Sequence, residues 1–290
     1  MSPLSKLGLA AAQFGLDGLG TSRGRPPVAE AREILSIAAR ANLPMLDTAS
    51  VFGRSEQLLG EALPRPLPFK LVIPTARADR GADFVEAEAR ASLTRMGVES
   101  AYAIVVPMVS DLFGPHGDAV WTRLNRLRDE GLFARVGVSV HASDDPVGVA
   151  RRLKPDLVQA PASLLDQRLL VDGTLSRLAG QGIEVCLRSI FLNGLLFLPP
   201  DRVPAQLKGA AGRLSRVRRM IAEGRSDPLQ AALGFALSRP EASSVLVGVT
   251  SAAELSAVIA AAGSPPPDLD WDDMAIDDPV ALDPSRWVAA

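Results

Sequence analysis

Eight short apolar runs recur along the chain, separated mostly by longer stretches with helical spacing, and this alternation narrows the possible architectures more than any other feature. The runs are Leu7–Ala12, Leu43–Leu46, Lys70–Ile73, Ala101–Val106, Arg135–Val140, Asp156–Val158, Ile183–Leu187 and Ser244–Val247. Each is too short for a packed helix, and several are apolar on both faces, as parallel strands covered by helices are. Between them, Val28–Asn42 puts Val28, Ala31, Ile34, Leu35 and Ala38 on one stripe. Asp83–Met96 carries Phe84, Ala87, Ala91 and Leu93, and Asp118–Glu130 carries Val120, Trp121, Leu124 and Leu127. Asp83 and Asp118 stand where N-caps are expected, and Gly97 and Gly131 where the helices should stop.

Strands alternating with helices predict an α/β protein with a parallel sheet, either a closed barrel or a doubly wound sheet. A Gly-x-Gly-x-x-Gly turn after the first strand would favour the open sheet, but Gln13-Phe-Gly-Leu-Asp-Gly-Leu-Gly20 has another spacing and no helix behind it. A (β/α)8 TIM barrel takes about 250 residues, so a chain of 290 holds one with material to spare. The extra residues fall in an insertion after the seventh strand, around Pro199–Lys208 and Arg213–Glu223, and in a C-terminal tail at 264–290. No linker divides the chain, so residues 1–290 read as one barrel domain. Trp271 and Trp287 predict that the tail packs on it.

A formal net charge of -2 gives no electrostatic case for nucleic acid or an anionic membrane. Arg213, Arg216, Arg218 and Arg219 cluster, and a solvated helix face accounts for them better than a phosphate site. The single cysteine, Cys186, excludes internal disulfides and sits in an apolar run as a core thiol. No residue cluster has metal-ligand spacing. No secretory signal is visible, and no apolar run approaches the ~18 residues that span a bilayer. A cytoplasmic monomer or homodimer acting on a small molecule is the expectation.

One stretch is more specific. Leu46-Asp47-Thr-Ala-Ser-Val-Phe52-Gly-Arg-Ser-Glu-Gln-Leu-Leu-Gly60 resembles the aldo-keto reductase signature at the second strand, where that family has Asp-Thr-Ala, then Tyr-Gly, Ser-Glu and Leu-Gly. Further segments resemble it in order: Lys6–Gly15, Arg135–Ser139, Val158–Pro161, Arg188–Leu196 and Val245–Ser251. Leu164–Arg168 and Asp283–Trp287 are similar to members found among bacterial sugar and surface-polysaccharide genes. The resemblance implies a barrel and hydride transfer between NADP(H) and a carbonyl or alcohol. A tyrosine acts there as proton donor, with a lysine, an aspartate and a histidine around it.

Compared position by position, Asp47 matches the aspartate, and Phe52 stands at the tyrosine. The lysine position falls near Pro74, and the histidine position in Val105–Met108. The sole tyrosine, Tyr102, opens the fourth strand, at the end away from barrel active sites. For the cofactor, the resemblance implies Ser139 and Gln159 at the nicotinamide carboxamide, Ser189 and Gly194 in the loop after the seventh strand, and Gly248, Thr250, Ser251 and Glu254 in the adenosine-phosphate region. The basic residue that often meets the 2′-phosphate is missing, unless the insertion after the seventh strand supplies it.

Among residues able to act instead, His141 follows the fifth strand as a candidate acid or base, or as a plain loop histidine. His116 belongs to a turn leading into a helix. Arg188 could bind an anion, stabilise an oxyanion, or pair with Asp47. The catalytic candidates are therefore Asp47, Phe52, His141 and Arg188. The functional expectations are an atypical NADP(H)-linked oxidoreductase on a sugar-like or small carbonyl substrate, a non-redox isomerase or lyase, or a silent binding protein.

Overall fold

Hydrogen bonding between successive apolar runs closes them into a ring. The computed structural model describes residues 3–15, 26–48 and 55–287. Its strands are β1 (Leu7–Ala10), β2 (Met45–Asp47), β3 (Lys70–Pro74), β4 (Ala101–Val106), β5 (Phe133–Ser139), β6 (Leu157–Pro161), β7 (Glu184–Arg188) and β8 (Ala242–Gly248). All neighbours are parallel, and β8 returns to β1, so the barrel is closed. The helices are α1 (Val28–Arg40), α2 (Ser55–Ala62), α3 (Ala82–Met96), α4 (Gly117–Asp129), α5 (Pro146–Leu153), α6 (Arg168–Val171), α7 (Thr174–Gly180), α8 (Lys208–Glu223), α9 (Pro228–Leu237) and α10 (Ala252–Gly263).

Alternation along each strand sorts side chains into two cores. Met45, Val72, Ala103, Val105, Leu157, Cys186 and Leu246 fill the barrel interior. The other strand faces pack against the helices, with Leu46, Ile73, Ile104, Val138 and Val158 among them. Burial pushes the Cys186 thiol up to about 12, so it stays protonated and packs as a small apolar group.

Some local expectations change. Neither Asp83 nor Asp118 caps a helix, because the N-caps of α3 and α4 lie two residues earlier, at Gly81 and His116. The two carboxylates lie in the first turns instead, paired with Arg123 and Arg152. On α3 the buried stripe is Val85, Ala89, Ser92, Leu93 and Met96 rather than one through Phe84 and Ala87. Phe84 lies against the Arg80 guanidinium, 3.6 Å from its ring centroid. Gly97 ends α3 in the left-handed region at φ 63°, as its position implied.

The arginine cluster is only partly a solvated face. Arg213 donates to the Asp273 and Ala275 carbonyls of the tail, and Arg218 to the Leu195 and Leu196 carbonyls of the loop after β7. The tail is held elsewhere too. Ile276 donates its N–H to the Leu165 carbonyl at 2.9 Å and Trp271 packs edge-on against Phe235, while within the tail the Trp287 indole donates to Val280. Long side chains on α8 thus position both the tail and the β7 loop, which borders the site.

Candidate functional site at the barrel mouth

Barrel active sites form at the C-terminal ends of the strands, where the loops converge. At that end β2 closes with Asp47, which lies between Ala10 of β1 and Val72 of β3. Its Oδ1 accepts a hydrogen bond from Gln159 Nε2 of β6 at 2.8 Å. Arg188, the last residue of β7, donates through Nε to Ser139 Oγ at 3.2 Å and through Nη2 to the Val140 carbonyl at 2.7 Å. Nη1 donates to Ser189 Oγ at 3.3 Å. The ends of β2, β5, β6 and β7 are therefore tied by side chains crossing the mouth.

Asp47 and Arg188 form no ion pair within 4.0 Å; each is held by neutral partners. Burial pushes the Asp47 carboxyl up from 3.8 to about 7, against the Gln159 hydrogen bond and the Arg188 charge, which act to lower it. Burial also lowers the Arg188 pKa, against the nearby carboxylates. An arginine remains charged under such a shift, whereas the carboxyl changes state near neutrality.

Both residues line one cavity of about 580 Å3. Ser189, Phe191, Asn193, Gly194 and Phe197 from the β7 loop form one wall. Gly248, Val249, Thr250 and Glu254, running from β8 into α10, form the other. The β7 loop has an unusual backbone, with Ser189, Leu192, Asn193 and Gly194 all at positive φ. Such conformations persist only where surrounding structure holds them, and they gather at ligand sites. Leu195 and Leu196, just beyond, accept from Arg218 and anchor the loop.

The aldo/keto reductase family model matches residues 12–276. The chain belongs to the aldo/keto reductase family. Among solved structures it resembles the holo form of an aldo-keto reductase from Bacillus halodurans, at TM-score 0.75 and 19% identity, covering 93% of this chain and 90% of that one. It also resembles a Pseudomonas aeruginosa protein provisionally assigned as an aldo-keto reductase, at TM-score 0.68 and 20% identity, with 90% of each chain covered. No curated protein matches the sequence.

Within this aldo/keto reductase barrel, Asp47, Arg188, Ser189, Gly194, Gly248, Thr250 and Glu254 are brought to one cavity. Ser139 and Gln159 are buried and stand behind it, bonded to Arg188 and Asp47 rather than lining it. Ser251 caps α10, its Oγ accepting from the Glu254 N–H. His141 is half-buried at the end of β5, and its backbone N–H donates to Asp144 Oδ2 at 2.7 Å. It is not among the cavity-lining residues. Phe52 lies outside the described residues. Pro74, which ends β3, is the register partner of Val105 on β4, near the expected lysine position and within the Val105–Met108 stretch where the histidine was expected.

Two cavity features escaped the sequence. Gln13, just after β1, lines the cavity, and its Oε1 is buried without a hydrogen-bond partner among the described residues. It packs against Gly248, where an added Cβ would come within 2.2 Å of Gln13 Nε2. Glycine at 248 was singled out through the family motif, whereas Gln13 lay inside the family-like segment Lys6–Gly15 without being assigned a role. Phe191 and Phe197 form a tilted ring pair at 5.2 Å on the cavity wall, and their spacing alone did not mark them as a pair. Among the described residues no helix is long and apolar enough to cross a membrane.

Proposed function

We propose that the protein is an oxidoreductase that moves hydride between a nicotinamide dinucleotide and a small carbonyl or alcohol, sugar-like in polarity, using Asp47 instead of the family's tyrosine–lysine–histidine relay. The observation that carries this reading is the Asp47 carboxyl in the mouth cavity, titrating near neutrality, beside the Arg188 cation. A general acid works best with a pKa close to the operating pH. The family's usual donor position is Phe52, which has no proton to give, and no lysine or histidine closes β3 or β4.

The cavity suits a dinucleotide in volume and lining. At about 580 Å3 it lies in the range of small-molecule sites, roughly 300–1,000 Å3. Ile190, Phe191, Phe197, Leu229 and Val258 offer apolar walls for flat rings, while Ser189, Asn193 and the Gly248–Thr250 backbone offer polar groups. Ser189, Gly194, Gly248 and Thr250 would hold the dinucleotide, with Ser139 and Gln159 supporting from behind. NADP(H) is the family's usual partner. When bound, the nicotinamide supplies or accepts the hydride.

The chain's own residues do the remaining work. Asp47, when protonated, donates its proton to the oxygen of a carbonyl undergoing reduction, and its carboxylate receives one in the reverse direction. Gln159 holds that carboxyl toward the cavity through Oδ1. Arg188 is fixed by Ser139 and Val140, so its charge stabilises a developing oxyanion without reorganising. We place this activity in the cytoplasm, on a small-molecule substrate, in a monomer or homodimer.

Calorimetric titration with oxidised and reduced dinucleotides, followed by turnover over a panel of aldehydes and sugars, tests the reading. Dinucleotide binding with turnover that collapses in Asp47→Asn supports it. No binding at millimolar dinucleotide would sink it. A second reading rests on the same pair, because an acid near neutrality beside a cation also serves an isomerase or lyase. Turnover of a sugar-like substrate without any dinucleotide favours that alternative. Tight binding without turnover favours a silent binding protein.

A further inference from the structure

The cavity wall formed by β8 and α10 has a distinctive electrostatic makeup. A helix N-terminus normally presents free N–H groups to an anion. At α10 the protein's own side chains occupy two of them, and also the N–H of Thr250 just before the cap. Glu254 Oε2 accepts from the Thr250 N–H at 2.7 Å and from Thr250 Oγ1 at 3.0 Å. Glu30 Oε1, reaching across from α1, accepts from the Ala252 N–H at 2.6 Å. Ser251 Oγ accepts from the Glu254 N–H at 3.2 Å. Two carboxylates thus stand where an incoming phosphate would seek donors.

None of the described cavity-lining residues on this wall carries a positive charge. Among the described residues lining the cavity, Arg188 is the one cation, and it is committed to Ser139, Ser189 and Val140 at the barrel axis. A dinucleotide with its nicotinamide at Asp47 must extend its adenosine away from the axis, toward the β7 loop and α10. At α10 a ribose 2′-hydroxyl can donate to the Glu254 carboxylate, the contact by which acidic residues select an unphosphorylated ribose. A 2′-phosphomonoester, close to doubly negative at neutral pH, would have to displace Glu254 from Thr250 and also face Glu30.

We propose that the cavity selects the dinucleotide lacking a 2′-phosphate, NAD(H) over NADP(H), with Glu254 as the discriminating residue and Glu30 in support. This rests on the nicotinamide-dependent reading above and departs from the family's usual cofactor.

The test is binding, independent of turnover. Calorimetry on the full chain would compare NAD+ with NADP+, and 5′-AMP with adenosine 2′,5′-bisphosphate. The unphosphorylated member of each pair should bind about tenfold tighter or more, the scale of an unfavourable charge encounter in a partly exposed site. Glu254→Gln keeps a side-chain acceptor for Thr250 and should narrow the ratio severalfold by weakening discrimination against phosphate; Glu30→Gln should narrow it less. Equal or tighter NADP+ binding overturns the selectivity and leaves the oxidoreductase reading standing. An unchanged ratio in Glu254→Gln also overturns it. Failure of both dinucleotides to bind overturns this inference together with the reading beneath it.

Discussion

At the N-terminal end of the barrel, the Tyr102 hydroxyl shares its one proton between the two Glu184 carboxylate oxygens, at 2.6 and 2.7 Å, and Arg135 pairs with the same carboxylate at 3.2 Å. Lys70 Nζ lies 4.6 Å from the Tyr102 ring centroid. At the C-terminal end, the Asp47 carboxyl and the Arg188 guanidinium share a cavity but lean on amides, hydroxyls and a carbonyl instead of each other. One end of the barrel neutralises its charges by pairing them, and the other keeps them apart. Pairing stabilises a fold, whereas an unpaired buried carboxyl shifts its pKa and remains available to a ligand. Burial, with help from Glu184, also pushes Tyr102 up to about 12, so this tyrosine is locked as a hydrogen-bond donor rather than poised to exchange its proton.

If the contrast is functional, substitutions at the two ends should separate activity from stability. The largest effect is expected for Asp47→Asn. Its kcat on a carbonyl substrate should fall by about 10²–10⁴-fold, the usual contribution of a general acid, with dinucleotide affinity retained in calorimetry. A kcat within twofold of wild type would break the comparison at the mouth. At the other end, Glu184→Ala removes the partner of both Tyr102 and Arg135. Urea unfolding should then show a loss of about 2 kcal/mol, with kcat unchanged.

The pH dependence of stability sharpens the point. The folded-state pKa of Asp47 lies near 7, above its ordinary 3.8, so the folded protein holds a proton that the unfolded chain releases. The associated stability is present in full below about 3.8 and is lost as pH rises through about 7. Asp47→Asn lacks that loss. Compared with wild type, it should gain about 1–2 kcal/mol between pH 4 and pH 8, after discounting for solvent screening. Parallel wild-type and variant curves would show that the carboxyl is not perturbed. The smallest effect belongs to Tyr102→Phe, which loses one hydrogen bond to a carboxylate. A cost of about 1 kcal/mol in denaturant melts, with no change in the pH profile of activity, is expected.

Much of this was readable in the residues, although unevenly. Strand β4 runs over Ala101–Val106, the same bounds as its apolar run, because Pro107 stops the ladder at one end. For β2 the apolar run Leu43–Leu46 marked burial and missed the pairing, which covers Met45–Asp47. Apolar pattern reports which side chains leave water; the ladder is set by register with neighbours far away in sequence. The family motif located Asp47 and Gly248, both of which line the cavity. It also pointed to Ser139 and Gln159, which the structure holds behind the cavity as supports for Arg188 and Asp47.

The sequence by itself determined that eight strands alternate with helices and that the chain resembles the aldo-keto reductases; from that resemblance came the expectation that Phe52 takes the tyrosine position, with the lysine position near Pro74 and the histidine position in Val105–Met108. Those conclusions depend on residue identity and order alone. The tertiary structure decided how the remaining charges behave. Whether Arg188 pairs with Asp47 or with β5, and whether Glu30 reaches the start of α10, depends on groups that are distant in sequence and brought together only by barrel closure. The protonation of Asp47 is likewise a property of its surroundings, because burial, not the carboxyl itself, raises its pKa toward neutrality.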